Sequence, residues 1–194
     1  MINTGFMSGF LILFSSPSGG GKSTIIKEIL KKYPDEFVYS ISTTTRTPRP
    51  NEKNGRDYNF LSKEEFLAKV EKKQFIEWEE VHGYYYGTDL EFINSCLNQS
   101  RNVLLDIDVN GALEVASKLR EKVITFFIKP PSMEELISRL KNRNTDSPAE
   151  IENRLKRIPM EMEKSALFDH VIINDDLEKT VEKILHIIKE HSHK

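Results

Sequence analysis

The chain has 194 residues, 38% hydrophobic and 30% charged, with a formal net charge of -2. That length carries one compact unit, with or without small inserted pieces, and falls short of two full domains. Nothing in the near-neutral balance points to a nucleic-acid polyanion, and no apolar stretch approaches the roughly 20 residues needed to span a bilayer, so neither nucleic acid nor membrane is an expected partner.

The run Phe10 to Phe14 has no basic segment ahead of it and leads straight into glycines, which argues against an export signal. Residues 1–8 read as a tail, with Met7 as an alternative start. The single cysteine, Cys96, allows no intramolecular disulfide; it sits in the helical stretch EFINSCLNQ as a packing residue and suits a reducing, cytoplasmic setting.

FLILFSS (10–16) is a short continuous apolar run of the buried parallel-strand kind, followed by glycines and then by STIIKEILKKY with helical periodicity. Between Glu36 and Gly87 the pieces EFVYSIS, RDYNFLS and FIEWEEV read as strands of a small inserted, largely β subdomain. They are separated by TPRPNEKNG and by a helix, KEEFLAKVEKK, which opens with Ser62 and Glu65 in capping-box spacing. From Asp89 helices and strands alternate. A helix runs to about Gln99, then come strand NVLLDID, helix GALEVASKLRE, strand KVITFFIKP and helix SMEELISRLKNR. After the polar break NTDSP follow helix AEIENRLKRI, strand HVIIND and helix LEKTVEKILHIIKE. Such alternation predicts a parallel sheet with right-handed crossovers. Pro159 falls inside the helical pattern from Ala149 to about Lys164 and is expected to kink or break it, because proline lacks the N–H and crowds the preceding turn.

Two groups of residues carry chemistry. The first is the loop after the opening strand: Ser16, Pro17, Ser18, Gly19, Gly20, Gly21, Lys22 and Ser23 fit G-x-x-x-x-G-K-[ST] at every place but the first. Glycines let successive N–H groups turn toward phosphate oxygens at the positive end of the next helix. Lys22 would reach the β and γ phosphates and the Ser23 hydroxyl would ligate Mg²⁺. Ser16 can replace the first glycine only if its φ is negative or the left-handed cost is tolerated.

The second group lies in the inserted piece, in STTTRTPRP, GRDYNF, FIEWEEV and GYYYGT. Arg46 and Arg49 are spaced to converge on one phosphate, with Tyr58 and Tyr86 as hydroxyl donors. Glu77 and Asp108 suit guanine, whose N1–H and N2 amino group are adjacent donors where adenine places an acceptor at N1, and Ser42 or Thr88 could donate to O6. Taken singly, each of these residues also fits a solvated strand face.

With SSPSGGGKST, STTTRTPRP, NGRDYNF, FIEWEEVHGYYYGT, LLDIDVNGA, PPSMEELISRL and VIINDD in order along nearly the whole chain, the sequence resembles the guanylate kinase family. The resemblance implies an α/β P-loop nucleoside monophosphate kinase fold. A parallel-sheet core (about 9–35, 89–130 and 165–194) would carry a β-rich GMP-binding subdomain (about 36–88) and a helical lid (about 131–164). It implies transfer of the γ-phosphoryl group of ATP to GMP, giving ADP and GDP, which recycles GMP and supplies GTP and dGTP. ATP and GMP, with dGMP, would be the partners and Mg²⁺ the cofactor. The oligomeric state stays open between monomer and homodimer.

Residue by residue, the resemblance places ATP on Ser16 to Thr24 and near Asn174. GMP falls on Ser42, Arg46, Arg49, Tyr58, Glu77, Tyr86, Thr88 and Asp108, with Arg46, Arg49, Tyr58 and Tyr86 at its phosphate. Relatives tolerate a small residue at position 16 and often carry serine at position 88, where threonine keeps the hydroxyl. Asp106 would orient water on Mg²⁺, unless Asp106 and Asp108 merely cap the next helix. Arg139 and Arg143, four apart, and Arg154 beyond the break would close over the phosphates as lid arginines, completing a catalytic set with Lys22 and Arg46; read alone, they fit a solvated face. Asn142 and Asn144 stand where relatives often carry glycine. Two further readings stay open from sequence: a non-catalytic guanylate-kinase-like module that binds proteins, and a kinase for another nucleoside monophosphate.

Overall fold

Two of the opening strand's apolar residues face one way and two the other, and this alternation organises the molecule. Strands β1 (Leu11–Ser15), β2 (Phe37–Ser40), β7 (Asn102–Asp106), β8 (Val123–Lys129) and β9 (His170–Ile173) form an all-parallel sheet in the order β2-β7-β1-β8-β9. The structure, a computed structural model, describes residues 9–141 and 148–191. Residues 1–8 and Asn142, Arg143 and Asn144 lie outside the described residues.

Successive side chains of a strand point to opposite faces, so a central parallel strand must be apolar throughout. On one face Ile12, Phe14, Leu104, Ile124, Phe126 and Ile128 pack against Ile25, Ile26 and Ile29 of α1 (Lys22–Lys32) and Val181, Ile184 and Ile188 of α7 (Leu177–His191). On the other, Leu11, Leu13, Val103, Leu105 and Phe127 meet Ile93 and Cys96 of α3 (Leu90–Asn98) and Ala112, Val115 and Ala116 of α4 (Val109–Lys118). Cys96 is buried there as a packing residue. The expected α/β architecture with a parallel core is thus observed, and all the loops at the C-terminal ends of β1 and β7 open on one side of the sheet.

EFVYSIS departs from expectation. Its strand, β2, pairs with β7 through Phe37↔Asn102 to Ser40↔Leu105 and so extends the core sheet instead of belonging to the inserted sheet. The inserted sheet is built from β3 (Thr43–Thr44), β4 (Asn59–Phe60), β5 (Phe75–Val81) and β6 (Tyr84–Asp89), in the order β4-β3-β6-β5. GYYYGT supplies β6, antiparallel to β5 and β3. Helix α2 (Lys63–Glu71) covers this sheet with Phe66, which stacks on Phe75 at 4.6 Å and Tyr85 at 5.6 Å. Its predicted capping box is present: the Glu65 N–H donates to Ser62 Oγ, and the Ser62 N–H donates to the Glu65 carboxylate, an arrangement contributing about 1 kcal/mol.

Helices α5 (Met133–Lys141) and α6 (Pro148–Lys164) form the helical pair, joined through Leu136, Leu140 and Ile158 with Leu155 and Met162 alongside. α6 runs without a break through Pro159, so of the expected kink or break the break does not occur. The lost N–H bond is one of many in a 17-residue helix, and Ile158 and Glu161, both buried, anchor the helix on either side of the proline. Among the described residues, no helix is long and apolar enough to cross a membrane.

Candidate active site

β1 ends at Ser15, and the chain turns through Ser16 to Gly21 before α1 begins at Lys22. The turn is closed by the Gly20 N–H donating to the Pro17 carbonyl at 2.9 Å. Gly19 and Gly21 hold φ of 95° and 97°, a region that side chains resist, so glycine is needed at both. Ser16 does not share that strain: the described non-glycine residues with positive φ are Lys73, His82 and Ser100. A side chain at Gly20 would meet Ser16 Cβ and Oγ at 2.7 Å, so serine at 16 and glycine at 20 fit as a pair.

Lys22 folds back over this loop. Its Nζ donates to Ser16 Oγ at 3.2 Å and to the Ser16 carbonyl at 3.4 Å, and lies 3.4 Å from Asp106 Oδ1. The other oxygen of Asp106 accepts from Ser23 Oγ at 2.9 Å. A hydroxyl and a carboxylate of adjacent elements therefore face one spot, a hard-oxygen set that suits Mg²⁺, which takes few protein ligands alongside phosphate and water. Asn174 lies behind the loop, where its Nδ2 donates to the Gly20 carbonyl at 3.1 Å. It is buried and buttresses the loop from behind. Thr24 is exposed in the first turn of α1, with its N–H on the Gly21 carbonyl.

Across an open cavity of about 210 Å³ stands the inserted sheet. Ser42, Arg46, Arg49, Tyr58, Glu77 and Tyr86 line it together with the phosphate loop, Asp106 and Asp108. Arg46 is held flat: Nη2 donates to both Glu52 oxygens at 2.8 and 2.9 Å, Nη1 to the Thr47 carbonyl at 2.8 Å, and its guanidinium lies 5.3 Å from the Tyr58 ring centre. Burial pulls the Glu52 carboxyl upward, but the Arg46 hydrogen bond and the Arg49 N–H hold it below its ordinary value. Tyr58 and Tyr86 meet edge to face at 6.1 Å. Burial and the nearby Asp106 carboxylate raise the Tyr58 phenol above its ordinary value, which keeps it a donor.

Glu77 is aimed by an irregularity in β5. The pairing with β6 shifts between Phe75 and Glu77, which sets Glu77 opposite Thr88 and into the interior, 4% exposed. Thr88 Oγ1 donates to Glu77 Oε1 at 2.6 Å. Burial, then the carboxylates of Asp108, Glu114 and Glu79, push the Glu77 carboxyl up to about 7 against the pull of the Thr88 bond. Asp108 Oδ1 caps α4 by accepting the Asn110 N–H at 2.8 Å, so the capping reading holds for Asp108. Its Oδ2 pairs with Arg157 Nη2 at 2.7 Å. Arg154 reaches the loop itself, donating to Ser18 Oγ. Arg139 pairs along its own helix with Glu135 at 2.9 Å.

A family model described as guanylate kinase matches residues 8–191. Curated guanylate kinases from Wolbachia sp. subsp. Brugia malayi and Bacteroides thetaiotaomicron are 47% and 44% identical, over 93% and 97% of this chain and 92% of each relative. The crystal structure of guanylate kinase from Anaplasma phagocytophilum superposes with a TM-score of 0.82 at 34% identity, covering 97% of this chain and 89% of that one. The chain belongs to the guanylate kinase family.

Within the guanylate kinase frame, residues that the sequence did not single out take visible parts. Glu52 orients Arg46, Glu161 lines the cavity, and Arg157 meets Asp108. Gly111 is the least expected: a methyl group there would lie 2.5 Å from Glu77 Oε2 and 3.1 Å from its Cδ. The first turn of α4 thus needs a bare backbone to admit the carboxylate. Gly111→Ala is expected to push Glu77 out of place and raise KM for GMP about tenfold, with a smaller change in kcat; steady-state kinetics at saturating ATP would measure it.

Proposed function

We propose that the chain transfers the γ-phosphoryl group of ATP to GMP, with ATP on the phosphate-loop side of the cavity and GMP on the inserted-sheet side. One observation carries this reading: Glu77, buried and backed by Thr88, and Asp108 together face the same cavity as Lys22, Ser23 and Asp106. A donor-phosphate cradle and an acceptor edge for guanine therefore share one space. The parallel core would bear ATP, the inserted sheet GMP, and α5 and α6 would act as the lid.

Phosphoryl transfer asks chiefly for alignment and neutralised charge. The GMP phosphate is an anionic nucleophile at neutral pH, so no general base is required. Arg46, held by Glu52 and Thr47, and Arg49 would bind that phosphate with Tyr58 and Tyr86, bringing two mutually repelling anions within reach. Lys22 would follow the β and γ phosphates of ATP, and the loop N–H groups would hold them at the start of α1. Ser23, directly, and Asp106, through water, would hold Mg²⁺, which supplies charge neutralisation between the ATP phosphates. Arg154 already touches Ser18 and would meet the transferring group, while Arg139 would leave Glu135 to join it on closure, with Arg143 as the third lid cation. Closure would also exclude water and so limit loss of ATP by hydrolysis.

Supplying γ-labelled ATP with Mg²⁺ and GMP tests the reading. Label should appear in GDP, with little as inorganic phosphate. Label released only as inorganic phosphate would contradict it.

A further inference from the structure

We infer that Arg157 is a positioning residue that ties the lid helix α6 to the guanine-binding carboxylate Asp108. This rests on the acceptor-site reading above.

Arg154, Arg157, Glu161 and Lys164 recur at steps of three and four and so form one stripe along α6. Arg154 and Glu161 line the cavity. Arg154 bonds Ser18 of the phosphate loop, Arg157 bonds Asp108, and Lys164 bonds Asn110 at the start of α4. Asn110 in turn donates to Glu79 of β5 at 3.0 Å. One helix therefore touches the phosphate loop at one end and the start of α4 at the other, and reaches β5 through Asn110.

The Arg157–Asp108 contact is the central link. The two side chains are 20% and 14% exposed, so the pair is largely withdrawn from water. The Asp108 carboxylate bears on both Glu77 and Glu161, and Arg157 lies 2.7 Å from Asp108 and 3.6 Å from Glu161. Removing the guanidinium would leave Asp108 facing like charges with only its helix-cap bond to hold it. Each carboxylate oxygen has two lone-pair directions, so Asp108 can keep both its cap and its arginine and still accept from guanine. Arg157 thus sets where Asp108 points, and the same bond sets how far α6 lies over the cavity.

The test is kinetic. Arg157→Met keeps most of the stem and removes the charge. It is expected to raise KM for GMP roughly tenfold and leave KM for ATP within about twofold, and to narrow the preference for GMP over IMP, which lacks the N2 amino group. Arg157→Lys should recover part of the loss. Thermal melting of each variant separates this from a folding defect. Wild-type turnover of GMP with an unchanged KM and an unchanged GMP-to-IMP ratio in Arg157→Met would overturn the inference alone. Failure of the wild-type protein to use GMP would overturn the functional reading beneath it.

Discussion

Lys22→Ala is expected to slow phosphoryl transfer by roughly 10²- to 10³-fold, the usual cost of removing one charge-stabilising donor, while GMP affinity stays within about twofold. The Lys22 side chain, 17% exposed, already places Nζ between the loop and Asp106, with Ser16 on one side and the carboxylate on the other. It lies at the phosphate loop, and among the described residues its hydrogen bonds and ion pair go to Ser16 and Asp106, not to Glu77, Thr88 or Arg46. Its loss removes the positive charge that would travel with the transferring group and leaves Asp106 without its cation. Single-turnover rates report the first effect and calorimetry with GMP alone reports the second. Disappearance of GMP binding in the variant would place Lys22 in the wrong half of the site.

The second large effect concerns Glu77. Guanine presents two donors, which a carboxylate accepts and a neutral acid, itself a donor, meets badly. Because burial pushes Glu77 up to about 7, kcat/KM for GMP should fall about tenfold per pH unit well below that value. Glu77→Gln should abolish this acid limb and lower kcat/KM for GMP on the order of 100-fold. The same shift affects stability. The folded protein holds the proton above the ordinary value of 4.5, so ionising Glu77 costs stability as pH rises from about 4.5 to about 7, and the full cost persists above it. At pH 8 and without ligand, Glu77→Gln should therefore melt higher than the native protein, and the gap should close toward pH 4. A flat pH profile in the native protein would contradict this account of the acceptor site.

What the sequence revealed of this design follows from the range over which each signal acts. The phosphate loop was legible because strand, glycines, lysine and helix are contiguous, and Ser16 proved compatible once its partner Gly20 was seen. The capping box at Ser62 was legible for the same reason. The sheet that β2 joins is decided by a partner far along the chain, Phe37 beside Asn102, and nothing within EFVYSIS distinguishes the two sheets. The break expected at Pro159 failed because a local penalty was outweighed by buried neighbours on both sides.

The residues proposed for the acceptor site were legible as types, but their support was not. Gly111 reads as an ordinary residue of an amphipathic helix, and its role emerges only when β5 brings Glu77 against it. Arg157 lay in a stretch that also fits a solvated face; its spacing from Arg154 was the available signal, and the partner that gives it meaning lies 49 positions earlier in the chain. Asp108 carries two loads at once, a helix cap and an ion pair, which explains why the capping and binding readings competed.

The central claim is tested most directly by ADP release from ATP and Mg²⁺ with GMP, dGMP, AMP, CMP and UMP offered in turn at matched concentrations. GMP should be the preferred acceptor, dGMP should be used, and AMP, CMP and UMP should lie near the background rate. Preference for AMP, or no ADP release with any acceptor, would contradict it.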